Sequence, residues 1–306
     1  MIEVFIQVML PVLIVFALGY LAGRFFDFDN KTLSTLSLYL LTPALIFQSI
    51  YKYKNFFELT TLKMLGAITL IAVLIIAGVE LAGKIFKLDK STRVVLILTL
   101  MLSNSGNFGL PINQYAFGDE ALLVASVLLV IYSFYTNTVG VIVAAADKSD
   151  IKQALLGSLK MPFFYVLVAA LALNFFHVEI PAPLFKPIEL IGLSAIPLNL
   201  LQLGFNLSKI RKLERLPLVF TASAIKLAVI PFGSYFLLML LGLQGLDFKS
   251  TILQIAMPPA VYCSILAAHY DSDSELASSI VFVSTILSFI SLSVLIYLLM
   301  GGSKNY

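Results

Sequence analysis

The chain has no tryptophan, one cysteine and two histidines, and only 12% of its 306 residues are charged. Each scarcity removes a class of function. With Cys263 alone, neither an intrachain disulfide nor a thiolate-cluster metal site can form. His177 and His269 stand far apart, each at the end of an apolar run, so no metal centre is expected. A charged share roughly half that of a soluble domain, beside a hydrophobic share of 60%, rules out a water-soluble enzyme, because so much apolar surface has to face lipid. The net charge of +3 is small and its lysines and arginines are dispersed, which speaks against a nucleic-acid partner. Nothing calls for a cofactor. Without tryptophan, tyrosine and phenylalanine near the ends of apolar runs serve as interface anchors.

What the chain has is long apolar stretches. Uncharged runs such as Ala121 to Ala146 and Leu276 to Gly302 exceed the ~20 residues that cross a hydrocarbon core as helix. The sequence predicts an all-α membrane protein with ten spans, near 2–25, 33–51, 62–86, 93–117, 121–146, 155–176, 184–207, 216–243, 248–270 and 274–300. The opening segment lacks a basic leader region and reads as a retained first span. Odd-numbered connections carry Arg24, Lys31, Lys84, Lys87, Lys90, Arg93, Lys148, Lys152, Lys160, Lys209, Arg211, Lys212 and Arg215. The opposite side has only Lys52, Lys54, Lys63, Lys186, Lys249 and Lys304. The positive-inside rule then puts both termini outside the cytoplasm, in a multi-pass protein of the cell membrane.

The polar connection 147–160 divides the chain almost in half, and prolines recur on either side of it. Pro11 answers Pro162, Pro43 answers Pro197 and Pro111 answers Pro258, whereas Pro231 has no partner. The expected organisation is a first five-helix repeat over 1–146 and a second over 161–306. An odd number of spans inserts the second copy upside down, the inverted repeat that recurs among secondary transporters.

Two matching spans are expected to be broken. Span 4 holds Ser103-Asn104-Ser105-Gly106-Asn107-Phe108-Gly109-Leu110-Pro111, turn formers inside an apolar run. Span 9 holds Met257-Pro258-Pro259, where two donors are missing. Irregular backbone at membrane depth is tolerated only where it is buried in protein or lines a cavity. Two crossing breaks bring two half-helix N-termini, suited to anions, and two C-termini, suited to cations, to one midplane site. Lys226 lies ten residues into span 8, about 15 Å deep at helical rise. A charge there needs a partner, and no acidic residue is expected at that depth. The carbonyls freed at the breaks are the available negative ends, which makes Lys226 a built-in cation where a sodium ion would otherwise sit.

At these residues the sequence resembles the auxin efflux carrier family, which contains bacterial organic-acid permeases and the plant PIN-type exporters. The most specific matches are Asn104 to Pro111 with Tyr115-Ala116-Phe117-Gly118-Asp119, Ile196 to Gly204, and Gln254 to Tyr270 leading into Glu275-Leu276-Ala277-Ser278. In PIN-type carriers an asparagine seven residues before the span 4 proline belongs to the carboxylate site, and Asn104 matches it. Lys226 and Pro231 match a basic residue five before a span 8 proline, and Tyr135-Thr136 resembles a pair near the same pocket. Cys263 stands where those carriers have a second span 9 proline, and their long cytoplasmic loop is missing, so the bacterial branch is the better match. The resemblance implies an architecture similar to sodium/bile-acid symporters. Spans 1, 2, 6 and 7 form a scaffold, which is the expected surface for a homodimer, and spans 3–5 and 8–10 form a mobile domain of elevator type. The expected substrate is a small organic anion, held by Asn104, Ser105, Asn107, Pro111, Tyr135, Pro258, Pro259 and Cys263, with Lys226 as the charge at the crossing.

Other features have plainer readings. Glu80 and Lys84, one turn apart, suggest an interfacial ion pair. Gly66, Gly78 and Gly83 suggest close helix packing. Asp271, Asp273 and Glu275 suggest a solvated loop, and Gln254 either a packing amide or a ligand in a sodium-coupled symporter. Gly192-Leu193-Ser194-Ala195 and Pro43-Ala44-Leu45 superficially resemble intramembrane-protease motifs. A serine mechanism would need a base within the membrane, and an aspartyl mechanism paired intramembrane aspartates; the expected spans hold neither.

Overall fold

A computed structural model describes residues 2–26, 29–53, 56, 58–145, 162–210 and 213–301. The connection 147–160 lies outside the described residues. In chain order the helices are α1 (Ile2–Phe25), α2 (Lys31–Lys52), α3 (Leu59–Ile85), α4 (Lys90–Met101), α5 (Leu110–Phe117), α6 (Asp119–Ala144), α7 (Pro162–Phe175), α8 (Ala182–Ser208), α9 (Leu216–Leu240), α10 (Gly245–Ile255), α11 (Tyr262–His269) and α12 (Ser274–Leu299). Among the described residues there is no strand, only one isolated bridge between Ser103 and Pro259. Helices α1, α2, α3, α6, α8, α9 and α12 are each long and apolar enough to cross a membrane. Large side chains such as Ile14, Leu74, Phe232 and Leu298 are exposed on them, as lipid-facing residues must be. The stretches near 93–117 and 248–270 each consist of two short helices, α4 with α5 and α10 with α11, none long enough alone to cover a ~30 Å core.

The prolines shape the long helices by a repeated local device. A wide π-helical turn occupies Phe5–Met9, Ser37–Leu41, Ser105–Gly109 and Ile225–Val229, each ending two residues before Pro11, Pro43, Pro111 or Pro231. A proline ring collides with the carbonyl four residues back and donates nothing to it. Widening the preceding turn moves that carbonyl aside, and the residue before three of these prolines bonds five back: Leu10 to Phe5, Thr42 to Ser37 and Ile230 to Ile225. Pro197 sits within the continuous helix α8 without such a turn.

Helices α1, α2, α7 and α8 pack as one group. Glycines bring α1 and α8 into backbone contact: a Cβ on Gly204 would stand 2.1 Å from the Phe16 carbonyl oxygen, and one on Gly19 2.1 Å from that of Leu201. A Cβ on Gly192 would stand 2.9 Å from the Leu45 backbone of α2. The Asn174 amide of α7 donates to the carbonyls of Ile50, Tyr51 and Tyr53, closing the C-terminal end of α2. Gly204→Ala should therefore lower stability by about 1–3 kcal/mol through overpacking, read as a drop in melting temperature in detergent. Gly66→Ala, whose Cβ meets open space, should be neutral or mildly stabilising in the same assay.

The remaining helices pack around α4, α6 and α12. At the end of this group that holds the α3–α4 turn, Asp89 caps α4 by accepting from the Thr92 amide at 2.9 Å and its hydroxyl at 2.6 Å. The Thr92 hydroxyl and amide, with Arg215 adding a smaller part, hold the Asp89 carboxyl below its ordinary value. Arg215 also reaches Asp273, the cap of α12, at 3.3 Å, so Asp273 is a structural bridge rather than part of a solvated loop. Glu80 pairs not with Lys84 but with Arg93 at 2.5 Å. The reason is Gly83: a Cβ there would meet the Arg93 side chain at 2.2 Å, so its absence lets Arg93 lie across α3. Gly66 and Gly78 face open space and do not serve close packing.

Candidate functional site at the crossing of two broken helices

The chain leaves helix after Met101 and again after Ile255, and the two extended pieces cross antiparallel. The Asn104 amide donates to the Pro258 carbonyl at 2.8 Å, and the Ala260 amide to the Leu102 carbonyl at 2.9 Å. Backbone groups that lost their helical partners thus satisfy one another away from lipid. Asn104 is the centre of an inverse γ-turn, φ −75° and ψ 60°, closed by the Ser105 amide on the Ser103 carbonyl at 2.8 Å.

This exchange leaves two carbonyls free. In an unbroken helix Leu100 would accept from Asn104, and Ile255 from residue 259. The Asn104 donor is spent on Pro258, and Pro259 has none. Lys226 takes up both oxygens: its ammonium donates to Leu100 at 3.1 Å, to Ile255 at 3.4 Å and to the Ser103 hydroxyl at 2.8 Å. Lys226 is 1% exposed and lies in the π-helical turn before Pro231. The Lys226 amine therefore sits at the two half-helix C-termini, where dipole and carbonyls favour a positive charge.

The half-helix N-termini face the other way. A cavity of about 250 Å³ is lined by Asn104, Ser105, Gly106 and Asn107 from one break and by Ala260, Val261 and Tyr262 from the other. The opposite wall is α2 and α8, with Ser34, Ser37, Asn199, Gln202 and Asn206; Tyr132, Thr136 and Asn137 of α6 close the side. None of the described residues lining it is charged. The Ser105, Cys263 and Ser264 amides bond nearby carbonyls, so the donors the two termini can offer this space are the other first-turn amides. The Asn104 side-chain nitrogen is buried without a hydrogen-bond partner, at a residue exposure of 4%.

Of the residues expected from sequence, Asn104, Ser105 and Asn107 line the cavity. Pro258 and Pro259 make the second strand of the crossing, and Pro111 is buried one turn beyond the first. Cys263 is buried beside the break, its thiol 3.4 Å from the Leu98 carbonyl. Tyr135 stands outside the cavity, donating to Thr69 of α3 at 2.5 Å, while Tyr132 takes the place on the wall. Gln254 is a buried amide beside Gly109, its nitrogen 3.4 Å from the Ser105 and Ala125 carbonyls and its oxygen without a hydrogen-bond partner. Sequence reasoning missed the α8 wall. Its signal was present: Asn199, Gln202 and Asn206 fall three and four residues apart, which places three amides on one helix face. Ser194 donates to the Ile191 carbonyl of its own helix and is exposed, and among the described residues no group of three or more metal-ligating side chains occurs.

A family model described as membrane transport protein matches residues 4–296, nearly the whole chain. The chain belongs to the auxin efflux carrier family. Relatives of this transporter extend over similar lengths. It is 27% identical to an uncharacterised transporter of Methanocaldococcus jannaschii over 291 residues, which is 92% of this chain and 94% of the relative. It is 25% identical over 300 residues to a Rhizobium meliloti protein whose name proposes malonate transport, covering 94% and 93%. An uncharacterised transporter of Escherichia coli is 23% identical over 287 residues, covering 89% and 90%.

Proposed function

We propose that this transporter is a secondary carrier of small organic anions, with a carboxylate held in the cavity at the crossing. The observation that carries this reading is a cavity that receives two half-helix N-termini, has no acidic side chain among its described lining residues, and has the buried, unpartnered Asn104 amide nitrogen at its wall. A carboxylate accepts from such donors without an ion pair. The cavity is smaller than the ~300 Å³ at which drug-sized pockets begin, which suits an anion of a few carbons. The named substrate of the Rhizobium meliloti relative is of that kind.

On this reading the ten spans form two inverted five-helix repeats, 1–146 and 161–306, in a cell membrane with both termini outside. Helices α1, α2, α7 and α8 are the scaffold, and the rest moves past it as an elevator. In support, the cavity lies between the two groups, so a displacement of one past the other would change which side it opens to. Lys226 on the carbonyl ligands favours a carrier that needs no sodium over a sodium symporter. Uptake of a carboxylate panel into proteoliposomes, under sodium or proton gradients applied separately, tests the proposal. No saturable uptake of any carboxylate under either gradient would reject it.

Asn104→Ala should weaken carboxylate affinity by about 1–3 kcal/mol, roughly 5- to 150-fold, since it removes a buried donor at the cavity wall that has no partner within the protein. Binding measured by calorimetry on a variant that melts like wild type decides it. Unchanged affinity would assign Asn104 to the backbone turn alone.

A further inference from the structure

We infer that the apolar groove between α3 and α9 is a binding site for an anionic phospholipid, with one acyl chain in the groove and the phosphate at Lys84 and Lys87. The groove has a volume of about 870 Å³ and a floor of Leu96 and Leu100 from α4. Gly78 and Gly233 line its two walls and add to its width, since a Cβ on either would touch nothing within 4 Å. Helix α3 packs on α4 and on the Ile230–Leu240 half of α9, and the cleft runs past it toward Pro217 and Phe86.

The polar atoms in its walls ask for no polar ligand, since Thr221 donates to Pro217 and Ser234 to Ile230 within their own helix. From Leu70 to Phe86 the groove covers about 24 Å at helical rise. That exceeds one leaflet, about half of a ~30 Å hydrocarbon core, and leaves room for one extended acyl chain with its headgroup at the Phe86 end.

Charge fixes the headgroup. At the Phe86 end Glu80 is engaged by Arg93, and Asp89 and Asp273 by Arg215, while Glu275 stays exposed. Lys84 and Lys87 stay exposed, and Lys87 stands between Phe86 and Leu88, which both line the groove. Basic residues at the end of an apolar groove recruit anionic lipid. The site also touches the transport machinery: Leu100, whose carbonyl receives Lys226, is part of the floor.

Native mass spectrometry of the purified protein, titrated with phosphatidylglycerol or phosphatidylcholine of identical chains, tests this. Wild type should prefer phosphatidylglycerol roughly thirtyfold, about fivefold for each lysine. Lys84→Ala with Lys87→Ala should erase the preference, and Gly78→Leu with Gly233→Leu should weaken both lipids while the protein melts normally. Equal binding of the two lipids by wild type, or unchanged binding by the filled groove, overturns the assignment. A protein dimer that the filled groove abolishes would make this face a self-association surface and overturn it as well.

Discussion

Lys226→Met is expected to slow uptake at least about tenfold, and wild-type uptake is expected to proceed equally well with and without sodium. A charge within a membrane span is costly, at least ~2.5 kcal/mol on insertion scales, and is retained where it has partners and a task. Here the partners are Leu100, Ser103 and Ile255, one from each side of the crossing and one within it. Methionine matches the length of the lysine stem but offers no donor, so the Leu100 carbonyl loses the ammonium, and the Ile255 carbonyl and Ser103 hydroxyl lose it too while keeping their own bond at 3.4 Å. Each such loss costs about 1–3 kcal/mol, and one at the lower end suffices for most of the tenfold effect. The Ser103 hydroxyl also lines the cavity, so the ammonium is one side chain removed from a bound anion and supports its charge through that hydroxyl. The measurement is initial uptake by proteoliposomes matched for protein content, in sodium and in choline. A sodium requirement in wild type, or an unaltered rate in the methionine variant, would sink the built-in cation.

Much of this arrangement was legible in the sequence, and the illegible parts share a cause. The long helices follow from apolar runs punctuated by charge, which is local information. The interruptions after Met101 and Ile255 follow from turn formers and missing donors, also local. The depth of Lys226 and the lack of an acidic partner were countable along the chain. What could not be read is how groups distant in sequence share their hydrogen bonds: Asn104 with Pro258, or Asn174 of α7 with the end of α2. Glu80 illustrates the same limit, because the choice of Arg93 over Lys84 depends on the space above Gly83. Tyr135 illustrates another. Its π-helical neighbourhood, Thr136–Gly140, sets the direction of the side chain, and no proline announces that turn as Pro43 or Pro231 announces theirs. The α8 amides were in plain view as a periodic polar face, but an apolar span with two internal prolines drew attention to the prolines instead.

The variant combining Pro258→Ala and Pro259→Ala should lose most transport while gaining helix. Each proline disfavours an interior helical position by about 3 kcal/mol, so the pair biases residues 256–261 against helix by more than any other feature of that segment. Restoring an amide at position 259 gives the Ile255 carbonyl its helical partner again, in competition with the Lys226 ammonium at 3.4 Å. Propagation of α10 into α11 also draws the residue 258 carbonyl into helix, which strips the Asn104 amide of its acceptor and loosens the γ-turn that orients the Asn104 side chain. Both the cation and the anion ends of the crossing are therefore disturbed by one change, and uptake should fall by about tenfold or more even if the melting temperature rises. Hydrogen exchange across residues 256–261 reports the cause directly, since new helical amides there should become protected. Protection and rate both unchanged would mean that the cross-strand bonds from Asn104 and Ala260 hold the break open without the prolines. Protection gained with transport intact would mean that the open crossing is not what the substrate uses.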